Sequence, residues 1–126
     1  MSAQENLRVA REVQDAFETM DMARLDALTA DDVVWHEIGR AEPRRGKDEL
    51  RAGAPGGADV DYEITAKLHD ILASDDHAIA LVEATATRGG KTFTYRTAEI
   101  YHIRNGQIAE RWAFSDDTAA ITAFFA

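Results

Sequence analysis

Two carboxylates set the chemical question. Glu37 sits in the run Val33-Val34-Trp35-His36-Glu37-Ile38, which is otherwise mostly β-branched and aromatic, and Glu99 sits in Thr97-Ala98-Glu99-Ile100-Tyr101. Successive side chains of a strand face opposite ways, so Trp35 and Glu37 share a face, as do Glu99 and Tyr101. A carboxylate turned into an apolar interior is desolvated, which raises its proton affinity toward the working range of a general base. A phenol beside a second acid supplies a donor for a developing oxyanion. Two acids held at different proton affinities are what proton-transfer catalysis needs. Each residue also has a plain structural reading: Glu37 as the solvated end of a strand, and Glu99 as a surface acid beside an interface tyrosine.

The remaining candidates divide in the same way. His36 faces away from Glu37 in a regular strand; it is a ligand contact if a bulge turns it inward and a satisfied structural histidine otherwise. Glu110, Trp112, Phe114 and Asp116 share one face of the last strand, and Ala109, Arg111, Ala113 and Ser115 share the other. On this pattern Trp112, with Trp35 and Phe17, forms an apolar pocket wall, or Trp112 and Phe114 are core or dimer-interface residues; Asp116 is a third acid. Asp116-Asp117-Thr118 fits an N-cap and first helical turn equally well. Arg111 neutralises an inward carboxylate, holds an anionic ligand or pairs at the surface, and a surface pairing is the expectation. The four histidines, His36, His69, His77 and His102, show no metal-ligand spacing. There is no glycine-rich phosphate loop, so neither cofactor nor metal is expected.

The elements that must position these groups come in a clear order. Ala10, Val13, Phe17 and Met20 form the stripe of an amphipathic helix. Asp21 caps a shorter helix carrying Met22, Leu25 and Leu28. A short strand is predicted over Asp32–Ile38, closed by Gly39, and a short helix over Gly46–Ala52, followed by a flexible loop at residues 52–58. Four strands then follow at Val60–Leu72, His77–Thr87, Thr92–Ile103 and Gln107–Phe114. Short turns separate them, including Arg88-Gly89-Gly90 and Arg104-Asn105-Gly106, whose pairs accept the positive φ of tight hairpins. Thr118–Phe125 closes the chain as a helix. Helices first and an antiparallel meander after give one α+β domain over residues 1–126, with helices packed on one face of a curling sheet around a single concave site.

Composition narrows the partners. The net charge of -9, from 14 basic and 23 acidic residues, argues against nucleic acid and anionic membranes, which need a basic patch. The dense basic stretch Arg40–Lys47 is interrupted or flanked by Glu42, Asp48 and Glu49 and reads as a solvated loop. Absence of cysteine removes disulfides and thiolate chemistry. With no basic leader and no apolar run of spanning length, the expected location is cytoplasmic.

Several stretches carry a resemblance. They are Leu25-Asp26-Ala27-Leu28-Thr29-Ala30-Asp31-Asp32-Val33-Val34-Trp35-His36, Arg45-Gly46-Lys47-Asp48-Glu49-Leu50, Leu68-His69-Asp70-Ile71-Leu72, Asn105-Gly106-Gln107-Ile108-Ala109-Glu110-Arg111-Trp112 and Asp116-Asp117. In order and spacing they resemble the ketosteroid isomerase-like and nuclear transport factor 2-like superfamily, in its SnoaL-like, polyketide-cyclase-like branch. The resemblance implies a cone-shaped, cystatin-like α+β barrel around one pocket and a homodimer paired through the outer sheet face. It implies Glu37 as the base, Glu99 as the protonated oxyanion donor, and Asp116 or Asp117 as the cyclase-type acid. The isomerases' helix tyrosine falls near Val13, which departs from the steroid-isomerase pattern. Three functions stay open: cofactor-independent proton transfer on a lipophilic carbonyl compound, non-catalytic binding of a small hydrophobic metabolite, and homodimeric association without a ligand.

Overall fold

In the computed structural model, which describes residues 2–54 and 60–126, the first helix starts earlier than its apolar stripe. Helix α1 spans Ala3–Glu18, because the Ser2 side chain caps it by accepting from the Glu5 amide. Its buried side carries Val9, Ala10, Val13 and Ala16, together with the polar Asn6 and Gln14. Asn6 has a mechanical reason to be there: its amide nitrogen donates to the carbonyls of Ser74 and Asp75, tying the helix to a sheet turn. Helix α2, Met22–Ala27, is capped by Asp21 as its sequence requires.

Strand β1 runs Thr29–Trp35, shifted toward the N-terminus of the expected span. Thr29 is buried, and its hydroxyl donates to the Leu25 carbonyl, so the strand begins directly off α2. After Trp35 the chain leaves the sheet and turns through Gly39 at φ 81°. The two-residue strand β2, Arg44–Arg45, leads into helix α3, Gly46–Gly53. Most of the expected flexible loop at residues 52–58 lies outside the described residues.

Strands β3 (Glu63–Ala73), β4 (His77–Arg88), β5 (Lys91–Arg104) and β6 (Gln107–Ser115) form the antiparallel meander. Both β4–β5 and β5–β6 turn on paired left-handed residues, Gly89-Gly90 and Asn105-Gly106, whose twist matches that of the flanking strands. The sheet order is β2-β1-β6-β5-β4-β3. One pairing departs from an all-antiparallel sheet: β1 lies parallel to β6, with Trp35 opposite Arg111. The sheet is curved and stays open, with β2 and β3 at its edges. Helix α4, Thr118–Phe125, is capped by Asp117, whose carboxylate accepts from the Ala120 amide.

Two apolar clusters fill the concave side. One joins α1 to Val33, Trp35, Ile71, Tyr101 and Ile108. The other joins α4 to Ala84, Ala86 and Tyr95. The inward row of β4 is Ala78, Ala80, Val82, Ala84 and Ala86, all buried. Small side chains along that row cannot fill the space beneath the curved sheet, so the two clusters do not close on each other.

Candidate functional site

Between the clusters lies a cavity of about 220 Å³, roughly the space of seven waters in the liquid. Its walls include Phe17, Trp35, Val82, Ala84, Ile121 and Phe125, and its polar groups are Gln14, Glu37, Tyr62, Tyr95, Thr97, Glu99 and Arg111. Alternation along the strands selects them. On β5, Thr97, Glu99 and Tyr101 face inward; on β6, Arg111 lies opposite Tyr101 and faces inward with it.

Glu99 is the centre of a polar network. Its Oε1 accepts from the Tyr101 hydroxyl at 2.8 Å, and its Oε2 accepts from the Thr97 hydroxyl at 3.1 Å. Arg111 Nη2 lies 3.2 Å from Oε1 in an ion pair whose side chains are 11% and 13% exposed. The expected surface pairing of Arg111 is therefore corrected: the guanidinium lies inside the sheet, 4.7 Å over the Trp35 ring. The parallel pairing of β1 with β6 puts it there, since Trp35 and Arg111 are register partners. Gln14 of α1 completes the network by donating to the Tyr101 hydroxyl at 2.7 Å. The buried Arg111 Nε has no hydrogen-bond partner among the described residues, a gap that an acceptor in the cavity would fill.

These surroundings also set the phenols. Burial first, and then the Glu99 charge, hold the Tyr101 phenol well above its ordinary value. The same causes push Tyr95 up to about 12. Burial, followed by the Glu37 charge, raises Tyr62 as well. All three stay neutral donors near neutral pH.

Glu37 reaches the same cavity from the segment after β1. Its carboxylate accepts from Arg44 Nε and lies 3.9 Å from Arg40 Nη1. Gly53 leaves the room for Arg44, since a Cβ there would overlap its guanidinium. Glu37 is more exposed than Glu99, at 27% against 13%, and so lies nearer the solvent.

The structure thus brings together Phe17, Trp35, Glu37, Glu99 and, behind Glu99, the fully buried Tyr101. Three other candidates lie elsewhere. His36 and Trp112 stack on each other at 5.8 Å with their planes 5° apart, on the outer face of the sheet. Asp116 is exposed, and its carboxylate accepts from the Arg96 amide. It lines an open groove of about 780 Å³ on that outer side, with Lys67, Glu83, Arg96 and Phe114. Gln14, Tyr62, Tyr95 and Thr97 are polar cavity residues that sequence reasoning did not select, and Arg111 is one that it placed at the surface. Gln14 carried one signal, a polar residue beside the buried stripe of α1. Among the described residues no group of three His, Cys, Asp or Glu is arranged to hold a metal ion, and no helix is long and apolar enough to cross a membrane.

Comparison with known proteins matches this geometry to a family. The model of the SnoaL-like domain matches residues 10–111. Among solved structures, Bal32a from a soil-derived mobile gene cassette is 27% identical, with a TM-score of 0.84 and 98% of each chain covered. A Xanthomonas campestris protein of unknown function with a cystatin-like fold is 24% identical, with a TM-score of 0.79, covering 96% of this chain and 98% of the other. A protein proposed as a polyketide cyclase, from Silicibacter sp. TM1040, is 19% identical, with a TM-score of 0.79 and 96% of each chain covered. The latter two likenesses establish the fold alone. No curated protein matches the sequence.

Proposed function

The chain belongs to the SnoaL-like domain family, and we propose that it is a cofactor-independent acid–base catalyst acting on a small lipophilic carbonyl compound. The observation that carries this reading is the meeting of two carboxylates, Glu37 and Glu99, with the unpartnered Arg111 Nε in one largely apolar cavity. Glu37, nearer the solvent, takes a proton from the carbon beside the carbonyl. The electron pair moves onto the carbonyl oxygen, where Arg111 Nε donates to it. Where a carbon–carbon double bond lies β,γ to the carbonyl, the proton returns at the γ-carbon, so the product is the conjugated isomer and nothing is consumed. In a saturated ketone it returns to the same carbon as exchange. Glu99, surrounded by donors, holds Arg111 in place and balances its charge. Trp35 and Phe17 keep the site apolar, which strengthens each electrostatic contact. The cavity is smaller than the roughly 300–1,000 Å³ of drug-sized sites, so the substrate class is single-ring compounds rather than steroids.

The test is deuterium incorporation beside the carbonyl of cyclohexanone-sized ketones in D2O, followed by NMR. Wild type should exceed buffer, and Glu37→Gln should lose about 10²–10⁴-fold while 4-nitrophenolate still raises the melting temperature of both. Exchange no faster than buffer would overturn the catalytic reading. One observation favours the second reading, a non-catalytic binder: both carboxylates already pair with arginine, an arrangement equally suited to holding a hydroxyl-bearing metabolite. Under that reading 4-nitrophenolate stabilises wild type although no exchange occurs. The proposed assembly is a homodimer through the outer face, where Leu72 and Phe114 are 55% and 63% exposed.

A further inference from the structure

The imidazole of His36 takes no part in the reaction proposed above, yet its surroundings lead back to the cavity. The ring stacks on Trp112, and Nε2 lies 2.8 Å from Glu110 Oε2. His77 approaches Trp112, at 6.5 Å, and His102 lies beside His77, at 5.3 Å. The His36 backbone does the opposite work. Its N–H donates to the Arg111 carbonyl at 2.9 Å. Its own carbonyl accepts from Arg111 Nη1 at 2.8 Å. His36 and Arg111 are therefore joined twice, in opposite directions, across the sheet.

Those bonds matter because of where they fall. Strand β1 ends at Trp35, so His36 is the last point at which the sheet grips the chain before Glu37. The His36 carbonyl also holds one nitrogen of the same guanidinium that Glu99 holds through another. With Nη1 and Nη2 both engaged, the direction of Nε is determined. Movement of the His36 peptide would release Arg111 and displace Glu37 together.

We infer that His36 is a positioning residue: the hold of Glu110 and Trp112 on its outward ring fixes the peptide that aims Arg111 Nε and carries Glu37 into the cavity. This deepens the proposed function and takes from it that Arg111 and Glu37 meet the ligand.

Two readouts test the coupling without any ligand. Arg111 sits over Trp35, so in a Trp112→Phe background, which keeps an aromatic ring beside His36, Trp35 emission reports the guanidinium. The exchange rate of the Arg111 Nε–H, followed by NMR with Arg111→Lys for assignment, reports it independently. His36→Ala should speed that exchange about tenfold and change Trp35 emission, and His36→Gln, which retains a donor for Glu110, should restore most of both. A folded His36→Ala protein with wild-type exchange and emission overturns the inference, whatever its melting temperature. If His36→Ala does not fold, Glu110→Ala decides by the same readouts: several-fold faster exchange supports the coupling and an unchanged rate ends it. Failure of wild type to bind any ketone or phenolate would count against the proposed function while leaving these readouts interpretable.

Discussion

The two faces of β5 and β6 are built from alternate residues of the same strands, and each holds a carboxylate against a nitrogen partner. Outside, Glu110 meets His36 with about a third of each side chain exposed. Inside, Glu99 meets Arg111 with little more than a tenth exposed. Outside, water can solvate either group when its partner is removed, so the loss of stability is small. Inside, Thr97, Tyr101 and Gln14 must supply what water would have supplied. Burial, more than the kind of charged group, separates a surface pairing from a site that can orient a ligand.

The largest contrast should come from removing one partner on each face. Arg111→Ala leaves Glu99 inside without its counter-ion and should cost about 3–5 kcal/mol in chemical denaturation. Glu110→Ala, outside, should cost within about 1 kcal/mol. Equal losses would mean that the two faces do not differ as described.

Alkaline titration sharpens the same contrast. The fold holds Tyr95 and Tyr101 neutral, so their contribution is fully present below the ordinary phenol value near 10. Above that pH the unfolded chain ionises first, and the contribution is lost as pH climbs toward the folded value, about 12 for Tyr95. Absorbance of tyrosinate should therefore lag a peptide reference until the protein unfolds. Normal titration of all three tyrosines would show the inner face to be wet.

The smallest stability effect belongs to the outer surface. Phe114→Ser should change stability by no more than about 0.5 kcal/mol yet shift a dimer toward monomer in sedimentation. An unchanged mass would remove this face from the proposed pairing.

Much of the fold was legible because its signals are local. Asp21, Asp117, Gly89-Gly90 and Asn105-Gly106 each carry their own turn or cap chemistry, and Ala10, Val13 and Phe17 mark the buried side of α1. The site was half legible. Alternation placed Glu99 with Tyr101, because a strand keeps its period whatever it pairs with; it also put Glu37 with Trp35, although Glu37 lies past the end of β1. It could not choose between the faces of β6. Trp112 suggested an inward wall, whereas the inward row holds Arg111 and Ala113. The burial of Arg111 depends on the β1–β6 pairing, which joins distant segments and leaves no trace in either.

That parallel pairing bears on the order in which the molecule assembles. The segments holding Glu37 and Arg111 join across a separation of 75 residues, whereas the β4–β5 and β5–β6 hairpins close over tight turns. Closing the longer loop costs more chain entropy, so it follows the hairpins. A cavity completed late, after the main folding barrier, acts on the rate of unfolding. A molecule occupying the cavity would lengthen the native lifetime and leave the folding rate where it was.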